Sequence, residues 1–232
     1  MCFSPEASFG SGVLLSVVAV ATLRKAALND RSMLGFAMFP AIFGAHQLIE
    51  GMVWITMDDN AKGMLWRYLY FSIATLCWPM LTPYASWMAE RQPFRRQIFL
   101  TFFAMGCCLT AYLTWKLAIE YTSIDVPKVC HSLSYVCQPL SAHPPFWIDY
   151  IYAAVTVIPL LGSSRPHIQR FGIGVLVAFG VTFSLLHSVY FSTWCMASAI
   201  LSAIIYFAIG TPKEQADVPA GETRLAATAP PI

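Results

Sequence analysis

The stretch that decides the fold is LGFAMFPAIFGAHQLIEGMVWITM, residues 34–57. It holds no lysine, arginine or aspartate, and its one acidic residue is Glu50. A helix of roughly 20 mostly apolar residues crosses the hydrocarbon core of a bilayer. The stretch therefore predicts a transmembrane helix that carries a single carboxyl group within its length.

The composition of the whole chain of 232 residues points the same way. Hydrophobic residues make up 57% of it, charged residues 11%, and the mean hydropathy is +0.60. These values exclude a disordered chain and do not suit a soluble domain. A net charge of +2 gives no field strong enough to recruit nucleic acid. The class that remains is a multi-pass protein of the lipid bilayer.

Apolar runs separated by short polar connections predict an all-α, seven-helix transmembrane bundle, because only internally hydrogen-bonded helices or closed barrels cross a bilayer. Ser4, Pro5 and Glu6 form a typical helix start, with a hydroxyl cap, a proline and an acid in the first turn. The runs lie at about 5–23, 34–57, 68–88, 98–117, 146–162, 171–190 and 195–209.

The distribution of lysine and arginine predicts the orientation, since these residues favour the cytoplasmic side. An outside N-terminus and a cytoplasmic C-terminus leave four basic residues outside: Lys62, Arg67, Lys116 and Lys128. The same arrangement puts ten basic residues inside: Arg24, Lys25, Arg31, Arg91, Arg95, Arg96, Arg165, Arg170, Lys213 and Arg224. We therefore expect a multi-pass protein of the cell inner (cytoplasmic) membrane.

Two segments lie outside the predicted bundle of residues 1–210. The loop 118–145 should face outward and carries Cys130, His131, Cys137 and His143. In an oxidising compartment Cys130 and Cys137 could form a disulfide, and a metal site with the two histidines is the alternative. The tail 211–232 is rich in Ala, Pro and Thr without apolar periodicity, which predicts a disordered cytoplasmic end.

Glu50 is the best candidate for a functional residue. A charged carboxylate inside a span costs several kcal/mol, so Glu50 should be protonated, paired or beside a hydrated cavity. His46, Gln47 and Trp54 share its helix face. We expect this stripe to face the bundle interior and to bind a ligand. Polar residues that only join helices are the alternative interpretation.

The helix ends nearby supply possible partners at a similar depth. Helix 6 carries Ser184, His187 and Ser188 at helical spacing, and helix 7 should begin beside Trp194 and Cys195. Cys2 lies near the outer end of helix 1. We therefore predict that His187 and Trp194 join the ligand site. The donors that could hold zinc or copper are Cys2, His46, Glu50, His187 and Cys195.

Three motifs resemble an uncharacterised family of small bacterial multi-pass membrane proteins that open with Met-Cys-Phe-Ser. They are MCFSPEASF at 1–9, FGAHQLIEGMVW at 43–54 and FSTWCMASAI at 191–200. The resemblance spans helices 1 to 7 without the tail. It implies that the motif residues form a site but implies no activity. The matching positions are Cys2, Ser4, Glu50, Gly51, Trp54, Trp194 and Cys195.

Three functions remain open at this stage. The leading hypothesis is an outward-opening intramembrane site that binds a small ligand, proton or metal ion, in a transport or sensing role. The second is a membrane-embedded hydrolase that uses a metal ion or Cys2 as nucleophile. The third is a structural subunit of a membrane complex or oligomer. A retinal protein is excluded because helix 7, residues 195–209, has no lysine for a Schiff base.

Overall fold

The computed structural model describes residues 4–129, 132–139, 147–185 and 189–210, which form seven helical segments and a small β segment. The helices are α1 (Pro5–Asn29), α2 (Leu34–Ala37), α3 (Phe39–Thr56), α4 (Asn60–Ser72), α5 (Trp78–Ala89), α6 (Pro93–Trp115), α7 (Trp147–Leu161), α8 (Pro166–Leu185), α9 (Tyr190–Leu201) and α10 (Ile204–Ala208). The pairs α2 with α3, α4 with α5, and α9 with α10 each make one segment. The all-helical prediction is confirmed.

Four of the described helices are long and apolar enough to cross a membrane by length and composition. They span Pro5–Asn29, Arg31–Thr56, Pro93–Ile119 and Pro166–Leu185. Two shorter apolar helices follow at Trp147–Leu161 and Ser192–Ala208. The predicted helix start at Ser4 is confirmed, because the Ser4 hydroxyl accepts a hydrogen bond from the Ala7 amide at 3.3 Å.

Several predicted bounds differ from those of the helices by about five residues or more, and the starts of the third and last segments are two of them. The third segment begins at Asn60 instead of Tyr68, and Asp59 caps it by accepting a hydrogen bond from the Lys62 amide. The last segment begins at Tyr190 instead of Cys195. In both cases charged or hydroxyl-bearing residues in the first turn lower the local hydropathy, so a hydropathy window starts the helix too late.

Prolines reshape the third segment. A π-helical turn at Ile73–Cys77 joins α4 to α5 just before Pro79, where the missing proline amide interrupts the regular hydrogen bonds. The Leu76 carbonyl in this turn accepts a hydrogen bond from the Thr110 hydroxyl of α6 at 3.0 Å. Because residue 83 is also proline, the Pro79 carbonyl is released too, and it lies directly against Gly106 of α6.

Glycine contacts set the helix spacing, as small residues do in membrane bundles. A Cβ atom at Gly106 would lie 1.8 Å from the Pro79 carbonyl oxygen, so only glycine fits there. Gly12 of α1 and Gly44 of α3 face each other, and a Cβ on either would approach the other's carbonyl to 3.1 or 3.2 Å. These crossings bring α1 close to α3 and α5 close to α6.

The long connection after α6 folds over one end of the bundle. After a π-helical turn at Lys116–Glu120, strand β1 (Tyr121–Asp125) pairs antiparallel with β4 (Val136–Pro139), and β2 (Lys128–Val129) with β3 (Ser132–Leu133). Leu133 is fully buried in a cluster with Ile124, Val126, Tyr70 and Trp54. This segment therefore packs on the ends of α3 and α4.

At the opposite end a clasp of Asp30, Glu90, Ser164 and Arg165 ties three connections together. Arg165 forms an ion pair with Asp30 at 2.8 Å and also bonds Ser32 and the Ala89 carbonyl. Glu90 accepts hydrogen bonds from the amide and the hydroxyl of Ser164. The clasp therefore fixes the α1–α2, α5–α6 and α7–α8 connections at a common level.

Candidate functional site

The polar stripe of α3 faces the bundle interior, as predicted. His46, Gln47 and Glu50 have no exposed surface, and Trp54 is 7% exposed. Gly51 lies beside them, where a Cβ atom would meet the ring of Phe9 at 2.7 Å. Close packing of α1 on this side thus keeps the stripe turned away from the outer surface of the bundle.

Ser192 of α9 is the direct partner of Glu50. Its Oγ atom donates a hydrogen bond to Glu50 Oε1 at 2.7 Å, and Ser192 is itself fully buried. The sequence interpretation missed this residue because it began the last helix three residues too late to include it. The available signal was spacing, since Ser192 precedes Cys195 by three residues and so shares its helix face.

Cys195 and Gln47 extend the site to either side of Glu50. The Cys195 thiol lies near both the Glu50 carboxyl and the Tyr70 side chain. Gln47 Oε1 accepts a hydrogen bond from the Ser11 hydroxyl of α1 at 3.3 Å. Carboxyl, hydroxyl, thiol and amide groups from α1, α3 and α9 therefore meet in one buried place.

His46 is held by Tyr70 in two ways. Its Nε2 atom lies 3.1 Å from the Tyr70 carbonyl oxygen, and the two rings stack with centroids 4.0 Å apart. A carbonyl only accepts hydrogen bonds, so Nε2 must carry a proton. His46 Nδ1 is buried without a hydrogen-bond partner among the described residues. That nitrogen is therefore a hydrogen-bond acceptor without a donor in the described part of the protein.

The β segment closes the site from its end of the bundle. Tyr135, between β3 and β4, stacks on Tyr70 with centroids 4.2 Å apart and rings nearly parallel. His46, Tyr70 and Tyr135 thus form a continuous column of three rings. Lys128 places its Nζ atom 5.4 Å from the centre of the Trp54 ring. In this conformation the site lies beneath a folded cover.

Trp194 occupies a different place from the one predicted. It lies one turn inside α9 instead of at a helix start, and its indole Nε1 donates a hydrogen bond to the Val175 carbonyl at 3.2 Å. Its ring contacts Phe179 and Tyr152, at 4.9 and 5.9 Å between centroids. Trp194 therefore joins α9 to α7 and α8 and lines a cavity next to Cys195.

Of the other predicted residues, one is turned away from the site and most lie outside the described part of the chain. Ser184 is exposed on α8, so the helix 6 stripe does not turn that residue inward. Several candidates lie outside the described residues: Cys2, Cys130, His131, His143, His187 and Ser188. Cys137 belongs to β4. The proposed disulfide and the roles of Cys2 and His187 therefore stay predictions.

The described part of the chain contains no group of three His, Cys, Asp or Glu side chains that could hold a metal ion. His46, Glu50 and Cys195 do not make such a group by themselves. A zinc or copper centre therefore stays a prediction that depends on Cys2 or His187. What the described residues do assemble is a buried carboxyl group with hydroxyl, thiol and imidazole neighbours.

Taken together, the fold and the buried carboxyl define a bundle of apolar helices with a polar site in the interior of its described part. Residues 1–220 match the model of a family of unknown function, DUF6629, and the chain belongs to that family. This confirms the resemblance to an uncharacterised family found from the three motifs. No curated protein and no solved structure matches the chain.

Proposed function

We propose that this protein is a multi-pass membrane protein with seven spans, in which Glu50 takes up and releases a proton as a small ligand or ion binds. The role is of the transport or sensing type. The observation that carries the proposal is the hydrogen bond from Ser192 to Glu50, two fully buried side chains on α3 and α9. Inside a bilayer such a carboxyl is costly and is functional by default.

The outer surface of the helices supports the membrane location. Val13, Val17 and Val20 of α1 are each about 60% exposed or more, and Ile173 and Val177 of α8 are more than half exposed. An apolar helix face of this kind is stable against lipid and costly in water. The seven-span arrangement places all these side chains in the hydrocarbon layer.

The clasp supports the proposed orientation. It brings the connections near residues 30, 90 and 165 to one end of the bundle. Those connections carry much of the basic charge, including the exposed Arg31 and Arg91. Under the positive-inside rule this end is cytoplasmic, and the β segment that covers Glu50 is outside. This orientation can be tested with a reporter enzyme that is active on only one side of the membrane. The reporter is fused after residue 30 in one protein and after residue 59 in another.

The neighbours of Glu50 suit a carboxyl group that changes its protonation. Ser192 donates to Oε1, and a hydroxyl can also accept a hydrogen bond after rotation, so it can serve either form of the carboxyl. His46 Nδ1 offers a further hydrogen-bond acceptor one helical turn away. Access from the outside then requires the ring of Tyr135 to leave Tyr70.

Infrared difference spectroscopy of the protein in lipid nanodiscs tests this role of Glu50. Stepping the pH should produce a carboxyl C=O band that is absent in Glu50→Gln and shifted in Ser192→Ala, since loss of the hydroxyl changes the hydrogen bond. Glu6→Gln removes a carboxyl from the first turn of α1 and should leave that band in place. A spectrum in which Glu50→Gln loses no band at any pH would contradict the proposal.

A further inference from the structure

A cluster of arginines lies where α5 connects to α6, at the end of the bundle that the clasp ties together. Arg91 belongs to the connection, and Arg95 and Arg96 lie in the first turn of α6. Arg91 and Arg96 are exposed, whereas Arg95 is half-buried. Together with Trp87, near the end of α5, these three residues are called the arginine corner below.

The exposed charge of the arginine corner is not neutralised within the described part of the chain. Glu90, the adjacent acid, is only 5% exposed and accepts hydrogen bonds from backbone amides and from Ser164. Asp30, an acid at the same end, is already paired in the clasp. Among the described residues, the side chains of Arg91 and Arg96 form no ion pair and no hydrogen bond. Both guanidinium groups are therefore available to a partner outside the chain.

Contacts within the protein hold the arginine corner in position. Arg95 Nη1 donates a hydrogen bond to the Gly162 carbonyl at 2.9 Å, which ties the start of α6 to the α7–α8 connection. The Cζ atom of Arg96 lies 4.7 Å from the centre of the Trp87 ring, a cation–π contact. A guanidinium group has several N–H groups, so Arg95 and Arg96 keep donors for a further partner. The corner is thus arranged before any partner arrives.

Apolar and aromatic side chains beside the arginines indicate the kind of partner. Phe94, next to Arg95, is 78% exposed. Tyr84 is 37% exposed, and its ring centre lies 5.8 Å from that of Trp87. Tyr and Trp favour the level at which acyl chains meet lipid headgroups, and α6 is one of the helices long and apolar enough to cross a membrane. A partner that meets both the arginines and Phe94 carries a negative group on an apolar chain.

We propose that the arginine corner binds an anionic phospholipid of the cytoplasmic leaflet. Its phosphate accepts hydrogen bonds from Arg91 and Arg96, whose planar guanidinium groups suit phosphate oxygens. Its acyl chains lie along α6 beside Phe94. Basic clusters just cytoplasmic of a spanning helix recognise anionic headgroups in this way. The site rests on the membrane location and orientation proposed above, and it does not rest on protonation of Glu50.

Native mass spectrometry of the full chain in detergent tests this site. The protein is titrated with dioleoyl-phosphatidylglycerol or with dioleoyl-phosphatidylcholine, which has the same acyl chains and a phosphate but no net charge. The anionic lipid should bind about tenfold more tightly or better, since each basic residue near an anionic headgroup contributes about 1 kcal/mol, or roughly fivefold. In Arg91→Gln/Arg96→Gln this preference should fall to about twofold or less. Unchanged binding of the uncharged lipid shows that the variant is folded.

A matched variant separates a defined site from general attraction to basic charge. Arg24→Gln/Arg170→Gln removes two exposed arginines from α1 and α8 at the same end of the bundle and should keep the preference. An equal loss in both double variants would overturn the proposal, and so would equal binding of the two lipids to the unaltered protein. Displacement of the anionic lipid by millimolar glycerol 3-phosphate would overturn it in favour of a soluble anion. Glu50→Gln should bind the anionic lipid normally, so a failed infrared test and a failed lipid test are distinguishable.

Discussion

The Oγ atom of Ser192 lies 2.7 Å from Oε1 of Glu50, and the two residues are separated by 142 positions in the sequence. This hydrogen bond joins the second helical segment to the last one in the interior of the bundle. Both side chains are fully buried, so neither can exchange its partner for bulk water. The geometry of this pair therefore depends on the correct packing of α3 against α9.

Replacing Ser192 by alanine should destabilise the protein by about 1–3 kcal/mol, because a buried carboxyl oxygen loses its donor. Thermal unfolding in detergent or nanodiscs measures the change. Ser184→Ala, the same substitution on an exposed face of α8, is the matched control and should have little effect. Equal melting temperatures for the two variants would mean that the Ser192 hydrogen bond contributes nothing to stability.

Replacing Gly106 by alanine should force α5 and α6 apart. The added Cβ would lie 1.8 Å from the Pro79 carbonyl oxygen, which cannot move aside because it belongs to the backbone. Overpacking of this kind costs about 1–3 kcal/mol or more. Gly180→Ala introduces the same methyl group where nothing lies within 4 Å. We expect a lower melting temperature only for Gly106→Ala, and equal shifts in both would contradict the close contact.

The clasp should make the protein sensitive to acid. Burial raises the pKa of Asp30, but hydrogen bonds from Ser32 and the charge of Arg165 outweigh it, so the pKa is lowered. The pKa of Glu90 is lowered as well, since burial is outweighed by hydrogen bonds from the Gln92, Ser164 and Arg91 amides and from the Ser164 hydroxyl. A carboxyl with a depressed folded pKa stabilises the fold above its unfolded pKa. That contribution is lost as the pH falls through the folded value.

Melting temperatures should therefore decrease below about pH 5, where carboxyl groups of the unfolded chain begin to bind protons. Asp30→Asn should be less stable at neutral pH and should show a shallower decrease in acid, because it has no such contribution to lose. Asp58 is an exposed acid outside the clasp. In Asp58→Asn the melting temperature should fall with decreasing pH as steeply as in the unaltered protein. If the melting temperature of Asp30→Asn fell with decreasing pH as steeply as that of the unaltered protein, the clasp would not be the source of the acid sensitivity.

Shortening Tyr135 should open the covered end of the site. Tyr135→Ala removes the ring that stacks on Tyr70, whereas Tyr135→Phe keeps the ring and loses only the hydroxyl. Cys195 is 7% exposed, so its reaction with N-ethylmaleimide reports on access. Peptide mass spectrometry should show several-fold faster labelling of Cys195 in Tyr135→Ala only. Identical rates in the three proteins would exclude Tyr135 as part of the cover.

The sequence allowed the helices and one side of the site to be predicted. Glu50 and His46 could be found because hydropathy identifies a span and helical periodicity places polar residues on one face. Ser192 was missed because the last helix was predicted to begin after it, and Tyr70 could not be found because its role depends on how α4 is rotated against α3. Hydropathy alone does not determine that rotation, which follows from side-chain packing. The ring of Tyr135 reaches the site through a β segment that was interpreted only as a loop.

The ion pair between Asp30 and Arg165 has a consequence for biosynthesis. Their positions are 135 residues apart in the chain, and at roughly 5–20 residues per second the ribosome needs on the order of ten seconds to cover that distance. During this interval Asp30 has no Arg165 to pair with, and Glu90 lacks the hydrogen bonds from Ser164. Translation therefore completes the clasp only when the sixth helical segment begins, and a chain stalled before that point exposes two carboxylates that the finished protein conceals.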